Sequence, residues 1–243
     1  KVLKKQVYSS ALLNKDETKT TVLNVRAKSG KVSQNSFMYI TIGTTFNEKE
    51  STFHTLVLCE YIQGRSKKVL LEDIERFNYK EPVITDGLKP YLHIENHGTC
   101  WVHLIRKFKD VLKVTAKKKD VNASILVSIY TKLSNAHYDL VEKLKNKEIT
   151  KEEFLKQRRE KSEPLIEEFF EKIEDIKSKY SSSGLMGKAI SYALEYKPYL
   201  SLYLDYVEGT PDNNSCERIA KCWATGRGNW LFSDTVDGAD ASY

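Results

Sequence analysis

The sequence predicts an α/β fold: a mixed sheet, built as an antiparallel three-strand meander plus parallel strands, interrupted by a large α-helical insertion. Three observations predict it. Three extended stretches with short connections open the chain. The apolar period then changes from two residues to the helical 3.6, with short apolar strands between helices. From Arg106 to Ser183 the pattern is almost wholly helical.

Taken in order, Tyr8 to Val25 carries Ala11, Leu12 and Leu13 before Asp16-Glu17-Thr18 and β-branched residues after them, the pattern of a strand. The polar run Arg26 to Asn35, with Gly30 inside it, predicts a hairpin loop. Ser36 to Thr45 and Thr52 to Tyr61 supply the second and third strands, and such short connections require antiparallel pairing. Leu70, Leu71, Ile74 and Phe77 recur at helical spacing, and Pro82 to Thr85 follows as a short strand ending at Asp86-Gly87. Asp86 thereby lands at the C-terminal lip of a strand, where open α/β sheets place ligands. A short helix, Leu88 to Glu95, and a strand around Thr99 to His103 come next.

In the helical stretch, Ile125, Ile129, Leu133, Leu140 and Leu144 form one face of a helical hairpin. Thr150-Lys151-Glu152-Glu153 fits a capping box, and Ser162-Glu163-Pro164 is expected to start a further helix with Leu165, Phe169, Ile173, Ile176 and Tyr180 on its face. After a break at Ser181 to Gly184, a helix is expected from Leu185 to Val207, kinked at Pro198 and stopped by Gly209.

The 243 residues, 40% hydrophobic and 11% aromatic, suffice for a packed core. No run of eighteen apolar residues occurs, which argues against a membrane span, and the start KVLKKQVYSS leads us to expect a piece of a longer protein. Cys59, Cys100, Cys216 and Cys222 form no CxxC pair, which argues against a disulfide framework and for a reducing compartment. His97-x2-Cys100-x2-His103 could suggest zinc, but on a strand those side chains would not share a face. The net charge of +6 is compatible with a polyanionic partner. Leu104 to Tyr180, with 19 Lys and Arg against 14 Asp and Glu, supplies most of it and reads as a solvated, salt-bridged helical surface.

The most informative stretch is Thr210 to Phe232, TPDNNSCERIAKCWATGRGNWLF. Its Pro-Asp-Asn-Asn turn feeds a helix that Asp212 or Asn213 can cap, and Glu217 falls in the first turn or two beside Arg218 and Lys221. A carboxylate on a rigid element beside two cations suits a metal ion next to a phosphate. The stretch resembles the C-terminal motif of the insertion sequence 66 family of transposases, DNNxxERxIRPxxxxRKNWLF. Asp212, Asn213, Asn214, Glu217, Arg218, Arg227, Asn229, Trp230, Leu231 and Phe232 match, whereas Lys221, Cys222 and Gly228 depart from it. LLNKDET resembles the family's HADET motif, ITDGLKPY its DGYxxY, CWVHLIRKF its CWAHxRRKF, and GKAISYAL its GKAIxYxL.

The resemblance implies a ribonuclease H-like catalytic domain, with core segments over residues 1–105 and 185–243 and a helical insertion over 106–184. By resemblance, the catalytic and metal-binding carboxylates are Asp16, Asp86 and Glu217, holding two Mg2+ or Mn2+ ions for in-line attack on a DNA phosphodiester. Water would first free a 3′-hydroxyl at the element's end, and that hydroxyl would then attack the target strand. Glu17 is the rival ligand to Asp16, although neighbours on a strand point to opposite faces. Each carboxylate also has a plain reading, Asp86-Gly87 as a turn and Glu217 as a solvated helix residue. Arg65, Lys188, Arg218, Lys221 and Arg227 are candidate DNA phosphate contacts, and Asn213, Asn214 and His103 are site-adjacent. Trp101 and Trp230 are read as core. The implied partners are DNA, as element ends and target, and further copies of the chain in a transpososome; the implied compartment is the bacterial cytoplasm with its nucleoid. Family members usually carry N-terminal DNA-recognition and zinc-binding segments, so specific end binding is expected outside these residues. Rival functions are a nuclease without strand transfer and an inactive copy that only binds DNA or partners.

Overall fold

A computed structural model of the protein describes residues 1–26, 31, 35–115, 120–230 and 233–241, and at 227–230 and 240 the backbone only. The elements run α1 (Val2–Val7), β1 (Leu12–Lys19), β2 (Ser36–Asn47), β3 (Thr52–Gln63), α2 (Lys67–Arg76), β4 (Val83–Thr85), β5 (His97–Thr99), α3 (Trp101–Val114), α4 (Val121–Lys145), α5 (Lys151–Ile176), α6 (Leu185–Tyr196), α7 (Asn214–Trp230) and α8 (Val236–Asp240). They form two compact units. The first comprises Lys1–Thr45, His54–His97 and Asn213–Tyr243, the second Phe46–Phe53 and Gly98–Asp212.

The strands make one mixed sheet in the order β3-β2-β1-β4-β5. β1 is antiparallel to β2 with Asp16 opposite Ile40 and Glu17 opposite Tyr39, and parallel to β4 with Asn14 beside Ile84. The four residues between β2 and β3 are too few for a crossover, so that pair is an antiparallel hairpin. The expected meander and its parallel continuation are therefore present. Of the first expected strand, Tyr8 to Val25, only Leu12–Lys19 is one: the chain turns after α1 before entering β1 and leaves it after Lys19. The expected hairpin loop at Arg26 to Asn35 falls mostly outside the described residues.

In the first unit the sheet buries side chains on both faces. On one, Leu13, Phe37, Tyr39 and Val83 pack with Leu70, Leu71 and Ile74 of α2 and with Tyr91. On the other, Ile40 and Ile42 meet Cys216, Ile219 and Ala220 of α7. Burial at about 25 cal/mol per Å2 of apolar surface is what fixes the register, since a one-residue slip would exchange the two faces.

The second unit is helical. Thr150 and Glu153 make the expected capping box at the start of α5, which forms a hairpin with α4. The other helical expectations need correction. Trp101 to His103 is not a strand: Trp101, Leu104, Ile105, Phe108 and Val111 lie buried along one face of α3. That 3.6-residue period outweighs the β-forming look of Trp-Val. Pro164 does not start a helix but sits inside α5. One lost ladder bond is tolerated because Phe154, Arg158 and Ser162 before it and Phe169, Phe170 and Ile173 after it stay buried together. Pro198 breaks rather than kinks its helix; α6 ends at Tyr196 and two short 3-10 turns follow, Lys197–Tyr199 and Leu202–Asp205. Ile125, expected in the core, is instead exposed on α4. Trp101 is fully buried, edge-on to Phe169, as expected of a core residue.

Gly209 does not stop the helix as expected, because α6 has already ended at Tyr196; it follows the second 3-10 turn, where its lack of a side chain is used. A Cβ there would stand 2.4 Å from the Tyr203 carbonyl oxygen, so only glycine allows the chain to pass.

Candidate active site

β1 delivers two acidic side chains to opposite faces of the sheet. Asn14 and Asp16 share one face, and Asn14 shows which it is: its Nδ2 donates to Asn213 Oδ1 at 3.0 Å, at the start of α7. Asn213 Nδ2 donates in turn to the Lys15 carbonyl at 2.9 Å. Both asparagines are buried, and the reciprocal pair staples the head of α7 to the middle of β1. Glu217 N–H then donates to the Asn213 carbonyl at 3.1 Å, placing Glu217 in the first helical turn, about 6 Å along the axis from the staple.

Asp86 follows the last residue of β4. Because Asn14 pairs with Ile84 in parallel register, Asp86 is level with Asp16 on the neighbouring strand. The distance between such strands is about 4.8 Å. Asp86 Oδ1 accepts the Leu88 N–H at 3.0 Å, an Asx turn that fixes the carboxylate at the strand end.

The carboxylates feel one another. Burial pushes Asp16 up to about 7, and the charges of Glu17, Asp86 and Glu217 add to the rise, against a hydrogen bond from the Glu17 N–H that lowers it. Burial and Asp86 also raise Glu17, opposed by Arg65 and by the Tyr91 hydroxyl. Among the described residues, no three His, Cys, Asp or Glu side chains stand close enough together to enclose a metal ion. The donor set still fits one. Carboxylate oxygens are what Mg2+ and Mn2+ prefer, and a cation would offset the repulsion that raises Asp16.

Glu17 points away from Asp16, as strand alternation requires, and its side chain has no solvent exposure. Arg65 Nε donates to it at 2.5 Å and the Tyr91 hydroxyl at 2.9 Å. Thus Arg65, expected at a phosphate, has carboxylate partners. Arg218 and Lys221 lie on the exposed side of α7, and Asn214 is half-buried at its start. The Arg227 and Trp230 side chains fall outside the described residues.

Two named residues belong to the second unit. Lys188 is exposed on α6, and His103 is half-buried in the first turn of α3, not at a strand end. The strand-parity argument against zinc at His97, Cys100 and His103 therefore lapses; among the described residues these do not form a metal-binding group. Asp212 accepts from the Tyr138 hydroxyl at 2.6 Å.

Sequence reasoning missed Asn14, Tyr91 and the buried Lys15, whose ammonium donates to the Tyr8 hydroxyl at 2.7 Å and is pushed by burial down to about 8. A signal existed for two of them. Asn14 lies two residues before Asp16, on the same strand face, and Tyr91 ends the stretch matching DGYxxY.

Among the described residues no helix is long and apolar enough to cross a membrane. No solved structure matches the chain. It is 28% identical over 192 residues to uncharacterized protein y4jD of Sinorhizobium fredii (strain NBRC 101917 / NGR234), covering 74% of this chain and 36% of that protein. It is 33% identical over 92 residues to uncharacterized protein y4hP of the same organism, covering 38% of this chain and 17% of that one. The chain thus spans about a third of the length of the first relative and less of the second. The family model described as Transposase IS66 family matches residues 1–241, nearly the whole chain, and it follows that this chain belongs to the IS66 family of transposases.

Proposed function

We propose that the chain is the DDE-type catalytic region of a DNA transposase, ribonuclease H-like in fold, with Asp16, Asp86 and Glu217 as its metal ligands. The observation that carries this reading is geometric: Asp86 stands level with Asp16 on the neighbouring strand, and Glu217 lies one helical turn beyond the Asn213 that is paired with Asn14 on the Asp16 face of β1. Three separate motifs therefore approach the same face of β1. The meander with a parallel strand beyond β1, and a later helix carrying the glutamate, support the ribonuclease H-like assignment. The functional division inferred from the family is a core over residues 1–105 and 185–243 around a helical insertion over 106–184; it differs from the two compact units, since α6 packs against α3 in the second.

Divalent cations, when bound, supply the activation of the attacking oxygen and the stabilisation of the leaving one. The chain's part is to hold them. Asp16 presents its carboxylate from the middle of β1 and Asp86 from the end of the adjacent β4, and the Asn14–Asn213 staple holds the head of α7, so Glu217 approaches from a fixed direction. Arg218 and Lys221, exposed on the same helix, would meet DNA phosphates. Water attack would free the 3′-hydroxyl, which then attacks the target strand; no covalent enzyme intermediate is needed.

The test is a strand-transfer assay with a precleaved DNA end in Mn2+, on the wild-type chain and on Asp86→Ala and Glu217→Gln. Joining by the wild type and its loss in both variants, with DNA binding retained, is expected. Cutting without joining would favour a nuclease. Full activity in either variant would refute the ligand assignment.

A further inference from the structure

Beside the three carboxylates stands a group with no part in that scheme. Glu17 lies on the other face of β1, and its buried carboxylate is paired with Arg65 through both Nε and Nη2. The Tyr91 hydroxyl holds its second oxygen. The arginine is placed from its own side too. Gly64 precedes it at φ +101°, a conformation that side chains rarely adopt, and the Gly64 carbonyl accepts from the Tyr39 hydroxyl at 2.8 Å. The guanidinium then lies over the Phe37 ring, 5.7 Å from its centre.

From this position Arg65 Nη2 reaches Asp86 Oδ2 at an ion-pair distance of 3.8 Å. The other oxygen of Asp86 is held by the Leu88 N–H. The Asp86 carboxylate is therefore restrained at both oxygens, one by its own turn and one by a planar fork anchored to β1. Arg65 and Glu17 cancel in charge, so what the pair contributes is geometry. A guanidinium can bind one carboxylate through two nitrogens and still reach another; an ammonium cannot.

We propose that Arg65 is a positioning residue that ties Asp86 to β1 through Glu17 and sets how Asp86 presents its carboxylate to a divalent cation, rather than a DNA phosphate contact. This rests on the metal-ligand reading of Asp86. It separates the roles of the two adjacent acids of β1: Asp16 faces α7, and Glu17 anchors the clamp.

The experiment is calorimetric titration of MnCl2 into the full chain as wild type, Arg65→Lys and Asp86→Asn, with a thermal melt of each. Arg65→Lys keeps the charge and loses the fork. It is expected to melt close to the wild type yet bind Mn2+ about tenfold more weakly or worse, as when a residue that orients a metal ligand is removed. Wild-type affinity in Arg65→Lys, with binding lost in Asp86→Asn, would overturn the clamp and leave the metal site standing. Wild-type affinity in Asp86→Asn, or no binding by the wild type, would overturn the metal site and the clamp with it. Should Arg65→Lys fail to fold, Tyr91→Phe loosens Glu17 without changing charge; weaker Mn2+ binding is expected there, and unchanged affinity would refute the clamp.

Discussion

Replacing Asp16 by Asn should stabilise the metal-free protein at neutral and alkaline pH. An aspartate whose ordinary value is 3.8 and which rises to about 7 on folding binds its proton more tightly in the folded state. Its favourable contribution is complete below about pH 4, fades as the pH climbs toward 7, and is fully lost above that. At about 1.4 kcal/mol per pH unit, the gap corresponds to roughly 4 kcal/mol, an upper figure because the denatured chain retains some repulsion. Asparagine has nearly the same shape, and its amide oxygen can keep the 2.8 Å bond from the Glu17 N–H. The assay is urea denaturation of wild type and Asp16→Asn from pH 4 to 8.5, in a chelating buffer so that no cation binds. The difference in unfolding free energy cancels the titration of groups remote from Asp16 and leaves Asp16 with the carboxylates coupled to it. It should be small near pH 4, grow in favour of the variant by up to about 1.4 kcal/mol per unit, and level off above pH 7. A pH-independent difference, or a variant less stable than wild type at pH 8, would refute the raised proton affinity that burial and the neighbouring carboxylates give Asp16.

Three further outcomes follow from the second unit. Arg158 is fully buried and donates to the Leu204, Tyr206 and Gly209 carbonyls, so Arg158→Met should strand three acceptors and cost about 3 kcal/mol or more in chemical denaturation. His137, whose ring nitrogens have no hydrogen-bond partner among the described residues, is pushed by burial, with the Arg158 charge adding, down to about 3. Its stabilising contribution is present above pH 6.5 and lost as the pH falls, so His137→Leu should flatten the stability slope between pH 6.5 and 4 by about 1.4 kcal/mol per unit. Phe154, Arg158 and Tyr203 surround the ring, and among these it is Arg158 that carries a fixed charge. Thr150→Ala removes half of the capping box of α5 and should cost about 1 kcal/mol in the same measurement.

What the sequence made legible in the fold was what local chemistry decides. β2 and β3 begin where β-branched and aromatic residues gather, α2 follows the spacing of Leu70, Leu71 and Ile74, and the Thr150–Glu153 box marks the start of α5. The errors lie where tertiary burial outvoted local preference. Pro164 looks like a helix start because proline favours the first turn, yet the buried stripe of α5 runs through it. Trp101-Val102-His103 looks extended because Trp and Val favour strands, and only the recurrence of Leu104, Ile105 and Phe108 behind it shows the helix.

The site divides along the same line. The three proposed carboxylates could be singled out because each sits in a motif of its own, and none needs the others to be noticed. Their surroundings were not readable, because each partnership joins residues far apart in the chain: Asn14 to Asn213, Glu17 to Arg65 and Tyr91, Arg65 to Asp86. Arg65 shows the consequence. Met as a residue alone it is a mobile cation on a basic protein, and a phosphate is the natural partner to assign. Once strand alternation sends Glu17 to the face opposite Asp16, a buried carboxylate there demands a cation of its own, and Arg65 is what the fold brings to it. The alternation that favours Asp16 over Glu17 as the proposed ligand is therefore the same physical fact that gives Arg65 its place beside Asp86.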